Sequence, residues 1–247
     1  MWQVSESRSV APAFERASAP GRSAVVLLSG GLDSATTLAQ ARADGLECLA
    51  LTVRYGQRHG HEVGCAERIA RALGARQHRI VTLDLSAFGG SSLFPGRTVP
   101  RAQVDLSAGP EIPSTYVPAR NTVFLSLALA WAEAAEAEAI YLGVNALDYS
   151  GYPDCRPEYL RAFQAMADLA TRRGVEGCPI EVRAPLLQLS KAQIISLGRS
   201  LRVDYSLTTS CYDPSAQGHP CGRCDACVLR RRGFEEAGVP DPLMETS

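Results

Sequence analysis

The run Ala24-Val25-Val26-Leu27-Leu28 breaks into Ser29-Gly30-Gly31-Leu32-Asp33-Ser34 and then Ala35-Thr36-Thr37-Leu38, and no other passage restricts the fold as much. The apolar run is too short for a helix, whereas the residues after the glycines carry helical spacing. A buried strand, a tight turn and a helix start are predicted. Glycines 30 and 31 lack the Cβ atoms that would keep a ligand off the backbone, and they permit positive φ. The expected product is a concave row of N–H donors at a positive helix end, a site for phosphate oxygens. No lysine follows the glycines, so the G-x-x-x-x-G-K-[ST] signature is absent. A carboxylate at Asp33 beside such a nest calls for an intervening cation, which makes Asp33 a candidate Mg²⁺-linked pyrophosphate ligand. A simple helix N-cap is the alternative.

Downstream, apolar strands alternate with helical stretches. Strands are predicted at Leu46 to Val53, Gln77 to Leu85, Ala139 to Val144 and Ile180 to Ala184. Helices are predicted from His61 to Leu73, from Ala119 to about Ala137 and from Pro157 to Arg172. This alternation predicts βαβ units in an α/β domain with a parallel five-stranded sheet and helices on both faces. Residues 86–118 dissolve into Gly, Pro and Ser, which predicts a mobile loop or lid, a functionless insertion being the alternative. Residues 1–23 read as a disordered tail, 24–204 as the ligand-binding domain, and 205–247 as a metal-binding C-terminal segment.

The 247 residues carry a formal net charge of −1, so no overall basic field argues for nucleic acid, and Arg230-Arg231-Arg232 is a candidate for a local basic patch. No secretory h-region is found, and the apolar run Val123 to Trp131 is too short to span a bilayer. A cytoplasmic protein without membrane partners is expected. Its 8 cysteines then read as packing residues or metal ligands, not as a disulfide framework.

Ligands of open parallel sheets bind at the carboxyl ends of strands. The polar loop after the fourth strand, with Asn145, Asp148, Tyr149, Tyr152, Asp154 and Arg156, therefore belongs beside Ser29 to Ser34. Ser190-Lys191-Ala192-Gln193 matches the S-x-x-Q capping box. It puts Lys191, the sole lysine among 25 basic residues, in a first helical turn. There its charge opposes the helix dipole, and a nearby anion would resolve the conflict. Lys191 is a candidate phosphate contact; a solvated surface lysine is the alternative.

Cys211, Cys221, Cys224 and Cys227 supply four thiolates, a set suited to a closed, structural tetrahedral Zn²⁺ site, with His219 as an alternative ligand. A [4Fe–4S] cluster is the competitor, though its proline-following fourth cysteine is missing. Cys155, in the polar loop, is an alternative thiol nucleophile.

Ser29-Gly-Gly-Leu-Asp-Ser34 resembles the loop of the ATP pyrophosphatase (PP-loop) superfamily, whose α/β fold is Rossmann-like and similar to the adenine nucleotide alpha hydrolases. Together with Tyr55-Gly-Gln-Arg-His59, Val117-Pro-Ala-Arg-Asn121, Tyr149-Ser-Gly-Tyr-Pro-Asp-Cys-Arg156 and the terminal cysteines, it makes the chain after Ala24 similar to the 7-cyano-7-deazaguanine synthases of queuosine biosynthesis. The resemblance implies a ligase that converts 7-carboxy-7-deazaguanine and ammonia to the nitrile through an amide. Both steps would run through adenylates, releasing AMP and pyrophosphate. ATP with Mg²⁺ would lie on Leu28, Ser29, Gly30, Gly31, Leu32, Asp33, Ser34, Ala35, Thr36, Thr37 and Leu38. Asp33, Ser34, Lys191 and Arg120 would be catalytic, and Asn145, Tyr149, Tyr152, Asp154 and Arg156 would bind the deazaguanine. Free ammonia is the expected nitrogen donor, and a homodimer the expected assembly. A tRNA-thiolating PP-loop enzyme and a non-catalytic zinc-binding nucleic-acid or interaction module are the rival readings.

Overall fold

The computed structural model describes residues 22–57, 60–101, 112–145 and 152–244. Strand β1 (Ser23–Leu27) lies at the centre of a five-stranded sheet of order β3-β2-β1-β4-β5. Its companions are β2 (Glu47–Arg54), β3 (Gln77–Thr82), β4 (Ala139–Tyr141) and β5 (Glu181–Arg183), and every pairing is parallel. A central parallel strand is covered on both faces, and so reads as unbroken apolar sequence. Ala24 and Val26 point into one core and Val25 into the other, all fully buried. The strand takes in Ser23, one residue inside the expected tail.

On the Val26 face lie α1 (Leu32–Ala43), α2 (His61–Ala72), α6 (Lys191–Ser200) and α7 (Asp225–Glu236), which contribute Leu38, Ile69, Ile194 and Phe234 to one core. On the Val25 face lie α3 (Arg120–Ala134) and α4 (Pro157–Ala170), with Leu125, Leu129 and Phe163. Each fully buried Leu, Ile or Phe stabilises the fold by about 1.5–3 kcal/mol of transfer free energy. The expected α/β fold class is therefore the observed one. α4 stops short of Arg172 because Thr171 turns extended and its hydroxyl accepts the Gly174 N–H, starting the short α5 (Arg172–Val175).

Of the stretch expected as a lid, residues 102–111 lie outside the described ones. Its described flanks pack against the domain: Leu93, Phe94 and Val117 are buried, and the Ser92 N–H donates to the Ser114 carbonyl at 2.8 Å. Arg230 does not contribute to a surface basic patch. Its buried guanidinium donates to both Asp241 oxygens at 2.7 and 2.8 Å, and to Thr208 Oγ1 and the Tyr205 carbonyl. These bonds tie α7 to the segment before the cysteines.

Because β1 pairs with β2 on one side and β4 on the other, the chain leaves β1 and β4 toward opposite faces of the sheet. A crevice opens between their carboxyl ends.

Candidate active site

That crevice is a cavity walled by Ser29, Gly31, Leu32, Asp33 and Ser34 after β1, and by Tyr55, Gln57 and Glu62 after β2. Arg120 and Phe124 of α3, Asn145 after β4, Tyr152, Cys155 and the segment Thr209 to Tyr212 complete it. The loop after β1 is closed by its own serines: the Ser29 N–H donates to Ser34 Oγ at 3.2 Å, the Gly31 N–H to Ser29 Oγ at 3.3 Å, and Ser34 Oγ to the Gly31 carbonyl at 3.0 Å. The serine hydroxyls thus accept from the N–H groups of the loop. No side chain caps α1, so its first-turn N–H groups open onto the same space.

Only one of the two glycines has positive φ. Gly30 lies at φ +90°, and a Cβ there would fall 2.2 Å from the Glu62 carbonyl oxygen, so the loop rests directly on the first turn of α2. Gly31 has an ordinary φ of −83°. The Thr209 N–H donates to the Gly30 carbonyl at 3.0 Å and holds the loop from the other side.

The capping box at Ser190 and Gln193 forms as predicted. The anion that answers Lys191 is Asp33 itself, with Lys191 Nζ 2.8 and 2.9 Å from the two carboxylate oxygens. Asp33 lines the cavity; Lys191 is buried and is not among the lining residues described. Lys191 thus gives Asp33 a counter-ion from within the protein. A carboxylate offers about four acceptor sites, so Asp33 retains capacity for a metal ion. Asp33 is not a cap, since the N-cap position of α1 is Gly31.

Arg120 opens α3 and donates to the Tyr55 hydroxyl at 3.2 Å, its guanidinium 5.5 Å from that ring. Burial works against its charge, but the facing Tyr55, Tyr152 and Tyr212 oxygens outweigh it and hold Arg120 above the usual arginine range. Glu62 lies across from it. Burial pushes this carboxyl up to about 7, with Arg120 and a hydrogen bond from Gln57 acting in the opposite direction. Gln57 is itself fixed, its Oε1 accepting the Tyr55 N–H at 2.8 Å.

The structure divides the remaining predicted residues. Ala35, Thr36, Thr37 and Leu38 are buried in α1 and do not belong to the described cavity wall, because the helix carries them away from its open end at 1.5 Å per residue. Asn145 and Tyr152 do line the cavity. Asn145 Nδ2 donates to the Leu186 carbonyl at 3.2 Å and also to that of Leu189; the Tyr152 hydroxyl meets Thr115 Oγ1 at 2.7 Å. Asp154 is buried and accepts the Asn121 N–H at 3.0 Å in the first turn of α3, and it is not among the lining residues described. Arg156 is exposed at the start of α4 and lies outside the described wall. Tyr149 and Asp148 fall outside the described residues. Burial, then Asp154, raises the Cys155 thiol to about 12, which removes it as a nucleophile near neutral pH. Sequence reasoning passed over Glu62 and Thr209. Neither belongs to a motif with its own chemistry, and only the fold brings them to the loop.

The sulfurs of Cys211, Cys221, Cys224 and Cys227 all lie within 4.8 Å of one another. Tetrahedral Zn–S bonds of about 2.3 Å would set sulfurs about 3.8 Å apart, so the cluster fits a metal such as zinc. Backbone N–H groups of Asp213 and Cys221 donate to Cys211 Sγ at 3.3 and 3.2 Å. Hydrogen bonds from Cys211 and then Cys227 hold Cys224 far below the usual thiol range. Cys224 also occupies the N-cap of α7, where the helix end favours a thiolate. His219 is exposed and outside the cluster. Cys211 lines the cavity as well, so the metal cluster and the cavity share a wall.

A glycine-bearing loop at the switch point of a doubly wound parallel sheet, opening onto helix N–H groups, defines an α/β nucleotide-binding protein of the PP-loop type. Residues 23–238 match the family described as "Queuosine biosynthesis protein QueC", and the chain belongs to that family. Among its relatives is the "7-cyano-7-deazaguanine synthase" of Anaeromyxobacter dehalogenans (strain 2CP-C), 62% identical over 228 residues, which are 92% of this chain and 97% of the relative. Another of that name, from Desulfatibacillum aliphaticivorans, is 59% identical over 220 residues, covering 89% of this chain and 94% of the relative. Among solved structures, the NMN synthetase of Francisella tularensis superposes with a TM-score of 0.47 at 18% identity, covering 92% of this chain and 79% of that one.

Proposed function

We propose that this chain converts 7-carboxy-7-deazaguanine and ammonia, with ATP and Mg²⁺, to 7-cyano-7-deazaguanine, releasing AMP and pyrophosphate. It is a carbon–nitrogen-bond-forming ligase of queuosine biosynthesis, as the names of its relatives indicate. Family membership sets aside the tRNA-thiolating and non-catalytic readings. We further place it in the cytoplasm as a homodimer; among the described residues no helix is long and apolar enough to cross a membrane.

The chemistry follows from leaving groups. A carboxylate repels nucleophiles and holds a poor leaving group. Attack of its oxygen on the α-phosphorus expels pyrophosphate and turns that oxygen into part of AMP, which ammonia displaces to give the amide. The amide oxygen repeats the attack, and departure of a second AMP leaves the nitrile. One ATP site serves both steps.

In this reading the loop from Ser29 to Ser34 and the first turn of α1 receive the pyrophosphate, whose oxygens replace the serine hydroxyls on the loop N–H groups. Asp33 is the residue that would hold Mg²⁺, which would supply neutralisation of phosphate charge. Lys191 fixes Asp33 and adds its field across the carboxylate. Arg120, held charged among three tyrosines, stabilises charge growing on the α-phosphate. Asn145, Tyr152 and Phe124 supply the wall for the planar base. Cys211, Cys221, Cys224 and Cys227 would hold zinc, which would keep Thr209 to Tyr212 in place without taking part in bond making.

The observation that carries this reading is the serine-closed glycine loop with its Asp33–Lys191 pair at the switch point. Mass spectrometry of a reaction with ATP, Mg²⁺, ammonium and 7-carboxy-7-deazaguanine tests it. Nitrile and AMP are expected together, both falling by at least about 100-fold in Asp33→Ala. AMP without nitrile would move the substrate elsewhere.

A further inference from the structure

Both nitrogen steps release protons, and the roles assigned above leave no group to receive them. Ammonium must lose a proton before its nitrogen can attack, and the adenylated amide must lose the last N–H to become a nitrile. Asp33 is engaged by Lys191, and Cys155 is a protonated thiol.

Glu62 stands apart. It occupies the first turn of α2 and lines the cavity, and its own carbonyl is the surface on which Gly30 rests. The loop and the backbone that carries this carboxylate are therefore packed against each other. Gln57, anchored through the Tyr55 N–H, hydrogen-bonds the Glu62 side chain, and Arg120 faces it from α3. We propose that the Glu62 carboxylate is the catalytic base that takes protons from the substrate nitrogen. This rests on the function proposed above.

In the first step ammonium gives one proton to Glu62. The freed lone pair forms the C–N bond at the acyl carbon, the C–O bond breaks with its electron pair leaving on AMP, and Glu62, its first proton passed to solvent, takes the second from the acylated nitrogen to leave the neutral amide. In the second, from the neutral O-adenylated imidate, Glu62 takes the remaining nitrogen proton. The N–H pair becomes the third C–N bond, and AMP departs with the C–O pair. Solvent recovers the proton between steps.

The environment suits a base at neutral pH. Among the described residues facing Glu62, Arg120 is the cation; Tyr55 and Cys65 are neutral groups raised by burial, and Gln57 does not titrate. His61 precedes it on α2, and Tyr212 and Asp33 line the same cavity. Burial, opposed by Arg120 and Gln57, puts the carboxyl at about 7, so the competent carboxylate gains population as pH rises through neutrality.

Glu62→Gln keeps shape and the contact with Gln57 while removing the base. Two assays separate the steps. Exchange of labelled pyrophosphate into ATP, with 7-carboxy-7-deazaguanine and no ammonium, reads adenylation alone; nitrile formation reads the nitrogen steps. Glu62→Gln is expected to retain exchange within about 3-fold and to lose at least about 100-fold in nitrile formation. The wild-type rise in nitrile rate through about pH 7 should vanish in the variant. Nitrile formation near the wild-type rate would overturn the proposal. So would parallel loss of exchange, which would make Glu62 a positioning partner of Arg120. Wild-type protein lacking both exchange and nitrile would contradict the functional reading itself, and the proposal with it.

Discussion

Gly30 cannot be replaced without moving something rigid. Its φ of +90° lies where side chains are strained, and an added Cβ would meet the Glu62 backbone carbonyl at 2.2 Å. Gly30→Ala should cost more than about 1 kcal/mol of stability, read as a lowered denaturant midpoint, and abolish calorimetric ATP binding. Unchanged binding would mean that the loop does not receive the phosphates. Gly31 tolerates more, because its φ is ordinary and its nearest neighbours would stand 3.4 Å from a Cβ. The sequence shows two identical glycines; the difference arises from where α2 comes to rest. Asp33 and Lys191 were both legible as unusual, one a carboxylate beside a phosphate nest and the other a lysine at a helix start. That each is the other's counter-ion was not legible, because 158 positions separate them. Asp154 has a partner that its local sequence does not show. A polar residue in a polar loop suggests ligand binding, yet the Asn121 N–H had first claim on it.

Elements, unlike single contacts, were largely written in local pattern. The apolar β1 run, the capping box of α6 and the Gly-terminated helices each needed no partner to be read. Packing of the C-terminal segment did need one. Arg230 sits in a triple-arginine run that suggests a solvated face, yet it is buried against Asp241 and Thr208. Thr208 leads into Thr209, which holds Gly30, so the ion pair supports the nucleotide loop from behind. Removing one partner of a buried pair strands the other charge, at about 3–5 kcal/mol. Asp241→Asn should therefore lower the melting temperature strongly, and in the fraction that remains folded it should raise the KM for ATP more than it lowers kcat. A stable variant with unchanged KM would disconnect this pair from the loop.

At the scale of the whole molecule, one sheet places four distant segments around a single crevice. Strand order does this: β1 sits between β2 and β4, so the loops after all three converge, while the cysteine segment closes the remaining side. The parallel α/β class followed from alternating strands and helices. The shared wall between metal cluster and cavity did not, because the four cysteines show their spacing but not what they stand beside. In the proposed reaction both carboxylate oxygens of the substrate leave on AMP, from one site used twice. This is tested most directly by supplying 7-carboxy-7-deazaguanine labelled with ¹⁸O in its carboxylate and following the label by mass spectrometry. One ¹⁸O in each of two AMP molecules per nitrile is the expected result. Label in pyrophosphate or inorganic phosphate would contradict it.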